Sequence, residues 1–359
     1  MKRITTITIT AALLVAGELS AIVVGCRRSS DKVVYKPLVF KEEQEVHFTP
    51  ITDEQLWGGT ASIYKVRDYL VVAIYQEDSV PSFLHVFDTS GLKIADHVKF
   101  GRGPKEIMTK HSVQKIGSGI HIFDMMQKKE IEVELNEDGR TAAISEAPVS
   151  GKVGLIQSYR LGDGFLRYYV VSPKEDQAEH PRITIESQAG DTLDAFHSSP
   201  FDYENPWVRS QMDGLRFNMA VSPDMSHFAI TYNDASVIEL FKLGKSIKEI
   251  YRGYFYPPKF KVEGTNVVPE DGLIWAFNAL YASNSHVFAS YDGDLDSANK
   301  SIRSNKIAIF DWEGHALKLL KTDYRVEAMC YSEDDSIIYA VIIDGSGRNF
   351  LGKLNINLK

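Results

Sequence analysis

Four strand-like runs follow one another from Ser62 onward, SIYKVRD, YLVVAIYQ, SFLHVFD and LKIADHVKF, joined by short connectors of Asp, Ser, Pro and Gly. Aromatic and β-branched runs broken by such residues read as strands and hairpin turns, so this stretch is a four-stranded antiparallel meander. The unit recurs. HSVQKI opens a second set, GLIQSYRL a third, RFNMAVS a fourth and LIWAFNALYAS a fifth. A sixth set, VEAMCYS, IIYAVII and NFLGKLNI, has only three runs. An isolated strand-like run, VFKEEQEVHFTPI (Val39–Ile51), precedes the first meander and can supply the missing strand against Asn349–Asn357. Sheets arranged radially must close into a ring or leave open edges, and a split last unit closes it. With roughly 54 residues per unit, near the ~50 of kelch-type repeats, the pattern predicts an all-β, six-bladed β-propeller of four-stranded blades over residues 33–359. Two smaller β domains are the alternative, but no Pro/Ser-rich linker divides the chain.

The first 25 residues have a different grammar. Lys2 and Arg3 precede an apolar stretch that Glu18 interrupts and that ends in VVGC, Val23–Cys26. A basic start, an apolar core and a small residue at the cut form a secretory signal. VVGC resembles a bacterial lipobox, which implies cleavage before Cys26 and lipidation of its thiol. Each buried CH₂ of the acyl chains then contributes about 0.8 kcal/mol to membrane attachment. RRSSDK, completing residues 26–32, reads as a polar tether.

Three segments carry a resemblance to a known family. HVFDTSGLKIADHVKFGRGPKEI holds a Gly-rich turn between blades in which Lys105 and Ile107 stand where the family shows Gly and Phe. AVSPDMSHFAITYNDASVIELFKL holds an SPD turn with Met225 in the usual Gly position. KIAIFDWEGHALKLLKTDYRVEAMCYSEDDSIIYAVI is the third. Together they resemble the TolB-like six-bladed propeller lipoproteins of the Bacteroides group. The resemblance implies this fold and an envelope location, but the family has no common activity to carry over. Because RRSS is not the acidic run that directs some of these lipoproteins to the cell surface, a periplasm-facing anchor on the outer membrane is expected.

The residues offer little catalytic chemistry. A net charge of −8 provides no basic surface for nucleic acid. The two cysteines, Cys26 and Cys330, form no CxxC pair, and Cys330 reads as a buried apolar residue of a core strand. HExxH, HxH and GxSxG motifs are absent. GRGP (Gly101–Pro104) reads as a turn rather than a phosphate loop, and LGKS (Leu243–Ser246) lies between strands. Asp292, Asp294 and Asp296 alternate in a loop where calcium is conceivable, but a solvated acidic hairpin is the simpler reading. No metal and no cofactor is expected.

The candidate site is the central channel. The innermost strands start near Ser62, His111, Gln157, Asn218, Asn278 and Glu327. This set is polar with one carboxylate, suited to hydrogen bonding rather than to a dication. Two long connectors are a second candidate, since Trp and Arg side chains dominate contact hot spots. Phe201–Phe217 carries Trp207, Arg209 and Arg216, and the segment before the fifth set carries Trp275. The expected function is non-enzymatic binding or scaffolding for a small ligand, glycan, peptide or protein partner. A channel-centred hydrolase or lyase acting on a sugar or lactone is the alternative.

Overall fold

The computed structural model describes residues 34–52, 56, 61–74, 82–109, 112–149, 153–170, 181–201, 211–212, 217–263, 266–293 and 305–358. The expected signal sequence, Cys26 and the expected tether lie outside them. The described chain is nearly all β and forms a six-bladed propeller.

Two short N-terminal strands, β1 (Glu42–Glu45) and β2 (Thr49–Pro50), precede the blades. Blade 1 runs β3–β6 (Ala61–Lys99), blade 2 β7–β10 (Ser112–Pro148), blade 3 β11–β14 (Leu155–Phe196) and blade 4 β15–β18 (Phe217–Tyr254). A hairpin, β19 (Phe260–Glu263) with β20 (Asn266–Pro269), leads to blade 5, β21–β24 (Phe277–Lys321). Blade 6 holds β25 (Arg325–Ser332), β26 (Ile337–Ile343) and β27 (Asn349–Asn355).

Strand composition follows position in the blade. The second strands are apolar and buried on both faces, as in YLVVAI (Tyr69–Ile74) and GFLRYY (Gly164–Tyr169), because neighbouring blades pack on either side of them. Fourth strands meet water and alternate or turn polar, as in AAISEAP (Ala142–Pro148). The apolar core therefore lies in the seams between blades. Val71, Val86, Ile122 and Ile131 fill the seam between blades 1 and 2, and Phe228, Tyr232 and Phe241 that between blades 3 and 4. Cys330 is buried beside Ile63 and Leu70 in the seam between blades 6 and 1, and burial pushes its thiol up to about 12, so it is an inert core residue.

The ring closes through the N-terminal segment, with one difference from the sequence expectation. Only Thr49–Pro50 pairs with blade 6, opposite Lys353 and Gly352, and the Ile51 amide extends the pairing by donating to Leu351 O at 2.8 Å. Glu42–Glu45 instead runs parallel to the outer strand of blade 5, Ala316–Lys321. The physical reason is charge and shape. Glu42 and Glu43 meet Lys318 and Lys321 at 3.3 and 2.6 Å, while Val46 and Phe48 turn inward into the seam between blades 5 and 6. The run is thus a strap over two blades rather than one long strand of the last.

The GRGP segment is a blade-to-blade turn. The Glu106 carboxylate accepts the Gly103 amide at 2.7 Å, and Gln127 Nε2 donates to the carbonyls of Gly101 and Glu106. A Cβ on Gly101 would meet the Glu106 carboxylate at 2.1 Å. In the SPD turn Ser222 Oγ donates to Asp224 at 2.6 Å, and Met225 takes φ +58° where glycine would be unstrained.

Candidate functional site

The innermost strands are β3 (Ala61–Val66), β7 (Ser112–Ile116), β11 (Leu155–Leu161), β15 (Phe217–Val221), β21 (Phe277–Ala282) and β25. Their starts surround a cavity of about 190 Å³. Ser62, Gln157, Asn218, Asn278 and Glu327 all line it, and the blade 2 position is taken by Ser112. His111, Trp207, Arg209 and Arg216 lie outside the described residues. Trp275 is not among the cavity-lining residues, and its carbonyl accepts the Gly293 amide at 2.9 Å.

Irregular backbone places several of these side chains. The pairing of β21 with its neighbour shifts between Phe277 and Leu280, that of β25 between Val326 and Ala328, and that of β11 between Leu155 and Gln157. Asn278 and Glu327 fall inside these irregularities, and Gln157 follows directly on the third. A bulge re-aims a side chain that a regular pleat would direct elsewhere. The Ala279 amide, displaced by its bulge, donates to the buried Ser290 hydroxyl at 2.9 Å.

A hydrogen-bonded chain crosses three blades at this mouth. Asn218 Nδ2 donates to Asn233 Oδ1 at 3.2 Å, Asn233 Nδ2 to Asn278 Oδ1 at 3.4 Å, and Asn278 Nδ2 to Glu327 Oε2 at 3.4 Å. Arg325 donates to the same Glu327 oxygen at 2.6 Å. Asn233 and Arg325 were not singled out from sequence. Arg325 is two residues before Glu327 on one strand, a spacing that could have flagged it, whereas Asn233 comes from beyond the end of the second strand of blade 4, which no periodicity marks.

Three tyrosines, Tyr64, Tyr159 and Tyr281, line this cavity and also a second one farther along the same strands. Tyr64 donates to Val113 O at 2.6 Å, Tyr159 Oη lies 2.7 Å from Met219 O and from Gln157 Oε1, and Tyr281 donates to Tyr331 O at 3.2 Å. Blades 1, 3 and 5 are thereby each fastened to the next. Burial raises all three hydroxyl pKa values far above the usual tyrosine range, so the groups remain protonated donors. Tyr64 and Tyr159 stand two residues after Ser62 and Gln157, a same-face spacing visible in the sequence.

Metal chemistry of the lactonase type can be tested against this donor set. Glu327 is the one carboxylate lining the cavity among the described residues, and its oxygen already holds the Arg325 guanidinium. A fixed cation beside a single carboxylate and neutral amides opposes a dication, so the residues do not fit such a metal.

The connectors hold packed rather than projecting side chains where they are described. Phe201 and Met212 are buried in the seam between blades 3 and 4, and the Val267 amide of the β19–β20 hairpin donates to Gln211 Oε1 at 2.9 Å. Asp292 is buried, and Asp294 and Asp296 lie outside the described residues.

No protein-family model matches the sequence, and no curated protein matches it. Solved structures resemble it in shape. A "putative exported protein" of Bacteroides fragilis superposes with a TM-score of 0.54 at 11% identity, over 88% of this chain and 99% of that one. A member of the DUF4221 family from Bacteroides vulgatus gives 0.54 at 7% identity, over 89% and 98%. A gluconolactonase of Xanthomonas campestris gives 0.47 at 13% identity, over 86% and 89%. At these identities the two Bacteroides likenesses support the propeller fold alone, and the gluconolactonase likeness adds nothing to it.

Proposed function

We propose that this chain is an exported, lipid-anchored propeller of the TolB-like kind that binds a small polar ligand at the strand-start mouth of its channel and does not transform it. The relay from Asn218 through Asn233 and Asn278 to Glu327 and Arg325 carries the reading. Amides both donate and accept, so a row of them fixed across three blades suits hydroxyls or peptide groups, as on a glycan fragment or a peptide end. Turnover would need a free general acid or base within reach of the ligand. Glu327, engaged by Arg325 and Asn278, is a poor one. The anchor at Cys26 and a periplasm-facing place on the outer membrane rest on the VVGC resemblance.

The test is a screen of glycan fragments and short peptides against the detergent-solubilised full chain, followed by titration of any hit. Asn278→Ala and Glu327→Gln should each weaken binding about tenfold, since hydrogen bonds contribute about 1 kcal/mol each and those to charged groups about 1.5–3. Hits that bind both variants as tightly as the parent would overturn the site assignment. Release of altered ligand would overturn the non-enzymatic reading.

A further inference from the structure

The far end of the channel, beyond the tyrosines, has the opposite chemistry. A cavity of about 240 Å³ opens there and shares Tyr64, Tyr159 and Tyr281 with the first. Two lysines on adjacent innermost strands, Lys65 and Lys115, line one side, and no Asp or Glu is among the lining residues. Met219, Val221, Pro223 and Leu280 form an apolar wall. The tyrosine hydroxyls are committed to main-chain carbonyls, so the tyrosines offer rings rather than competing acceptors.

The two lysines are not equivalent. Lys65 has its counter-charge, since its ammonium meets Asp335 and donates to Ser332 at 3.3 Å. Lys115 has no hydrogen-bond or ion-pair partner among the described residues. Lys115 is an exposed residue, and partial desolvation at the cavity edge, helped by Lys65 and opposed by the field of Asp334, holds its pKa below the ordinary lysine range. A partly desolvated, unpaired ammonium beside an apolar wall gains from an anion whose body covers that wall.

We propose that this end of the channel is a second binding site, for a small organic anion with an apolar body, its carboxylate on Lys115 and its hydrocarbon against Met219, Val221 and Leu280. At about 240 Å³ the cavity is smaller than the usual ~300–1,000 Å³ of a drug-sized site, which favours a short aryl or alkyl carboxylate. The site uses none of the amides of the opposite mouth and stands or falls separately from the reading above.

Isothermal titration of the solubilised full chain with 4-phenylbutyrate, and with its neutral primary amide, tests this. The carboxylate should bind saturably at one per chain and the amide at least tenfold more weakly. Lys115→Met should lose at least tenfold in carboxylate affinity, Lys115→Arg should stay within threefold of the parent, and Asn278→Ala should bind as the parent does. Equal binding of carboxylate and amide, undiminished binding by Lys115→Met, or no saturable binding by the parent would each overturn the site.

Discussion

Substitution of Phe48 by Ala probes the closure of the ring. Phe48 is 4% exposed and packs in the seam between blades 5 and 6, with Val46 beside it. It pins the strap where it passes from blade 5 to blade 6, and beyond that point the strap's bonds to blade 6 are few. The Ile51 amide donates to Leu351 O at 2.8 Å, the Leu351 amide to Thr52 Oγ1 at 3.1 Å, and the Leu56 amide to Asn349 O at 2.9 Å. Removing a buried phenyl ring costs about 3–5 kcal/mol, and the lower end applies here because a terminal segment can relax into the space. At about 2.1 cal/mol/K per residue, the unfolding entropy of the ~325-residue propeller makes 3 kcal/mol a fall of about 4–5 °C in Tm. Calorimetry of the parent and of Phe48→Ala measures that fall. Hydrogen exchange localises it: the amides of Ile51, Leu56 and Leu351 should lose protection, while those of β12 (Gly164–Tyr169) in blade 3 should keep theirs. A Tm within 1 °C of the parent, or a loss of protection spread evenly over all blades, would refute the strap as the closing element.

Other perturbations test separate parts of the argument. Arg182 makes bidentate bonds to Glu239 at 2.7 and 2.9 Å in the seam between blades 3 and 4, so Arg182→Ala leaves that fully buried carboxylate with Arg252 and the Tyr232 hydroxyl and should cost about 3–5 kcal/mol by urea unfolding. Met225→Gly should raise stability by about 1 kcal/mol, since it relieves a side chain held at φ +58°, and an unchanged or lower midpoint would count against strain in that turn. Burial lowers the pKa of His85, His97, His227 and His286, so the folded state favours their neutral forms. Their contribution is present above the ordinary histidine value of about 6.5 and is lost as pH falls through the lowered ones, so unfolding midpoints should drop between pH 7.5 and 5.5. Cys26→Ser should abolish metabolic labelling with palmitate, and labelling that persists would remove the basis for the anchor.

The blades were legible because their middle strands leave no ambiguity. Runs such as VVAI and IIYAVII are apolar on both faces, and the Asp-, Gly- and Ser-rich turns between them fix strand ends within a residue or two. The same regularity placed Ser62, Gln157, Asn218, Asn278 and Glu327 at one mouth, since the first residues of like strands in a ring must face one another. The strap was half legible. Alternating Val46 and Phe48 announces a buried strand, but EEQE says nothing of its partner until Lys318 and Lys321 are known to stand on the outer edge of blade 5. Bulges were not legible at all: nothing in FNALYA or RVEAMCYS marks the register shifts that set Asn278 and Glu327.

The seam between blades 2 and 3 shows how differently one propeller can fasten its blades. Its apolar cluster comprises four buried residues, Phe123, Val149, Leu155 and Tyr169. Neutral polar bonds such as Ser112 Oγ to Ser158 O at 2.6 Å and a cluster of charged groups accompany it. Arg167 donates to Glu186 at 2.8 Å and lies 3.7 Å from Glu130, and the Ser158 hydroxyl donates to Glu130 at 2.8 Å. Tyr169 and Thr184 donate to the other Glu186 oxygen at 2.6 and 2.9 Å. Such a network adds little net stability compared with apolar packing, because desolvation offsets the attraction, but breaking it is expensive. Arg167→Leu should therefore destabilise by about 3–5 kcal/mol, since it leaves two buried carboxylates without their shared cation. Adding Glu186→Gln should recover part of the loss, because an amide needs no counter-charge in that seam. Urea titrations of the two single variants and the double variant measure the coupling. Strictly additive losses would show that the guanidinium acts through its stacking on the Phe165 ring, 4.8 Å away, and not through the carboxylates.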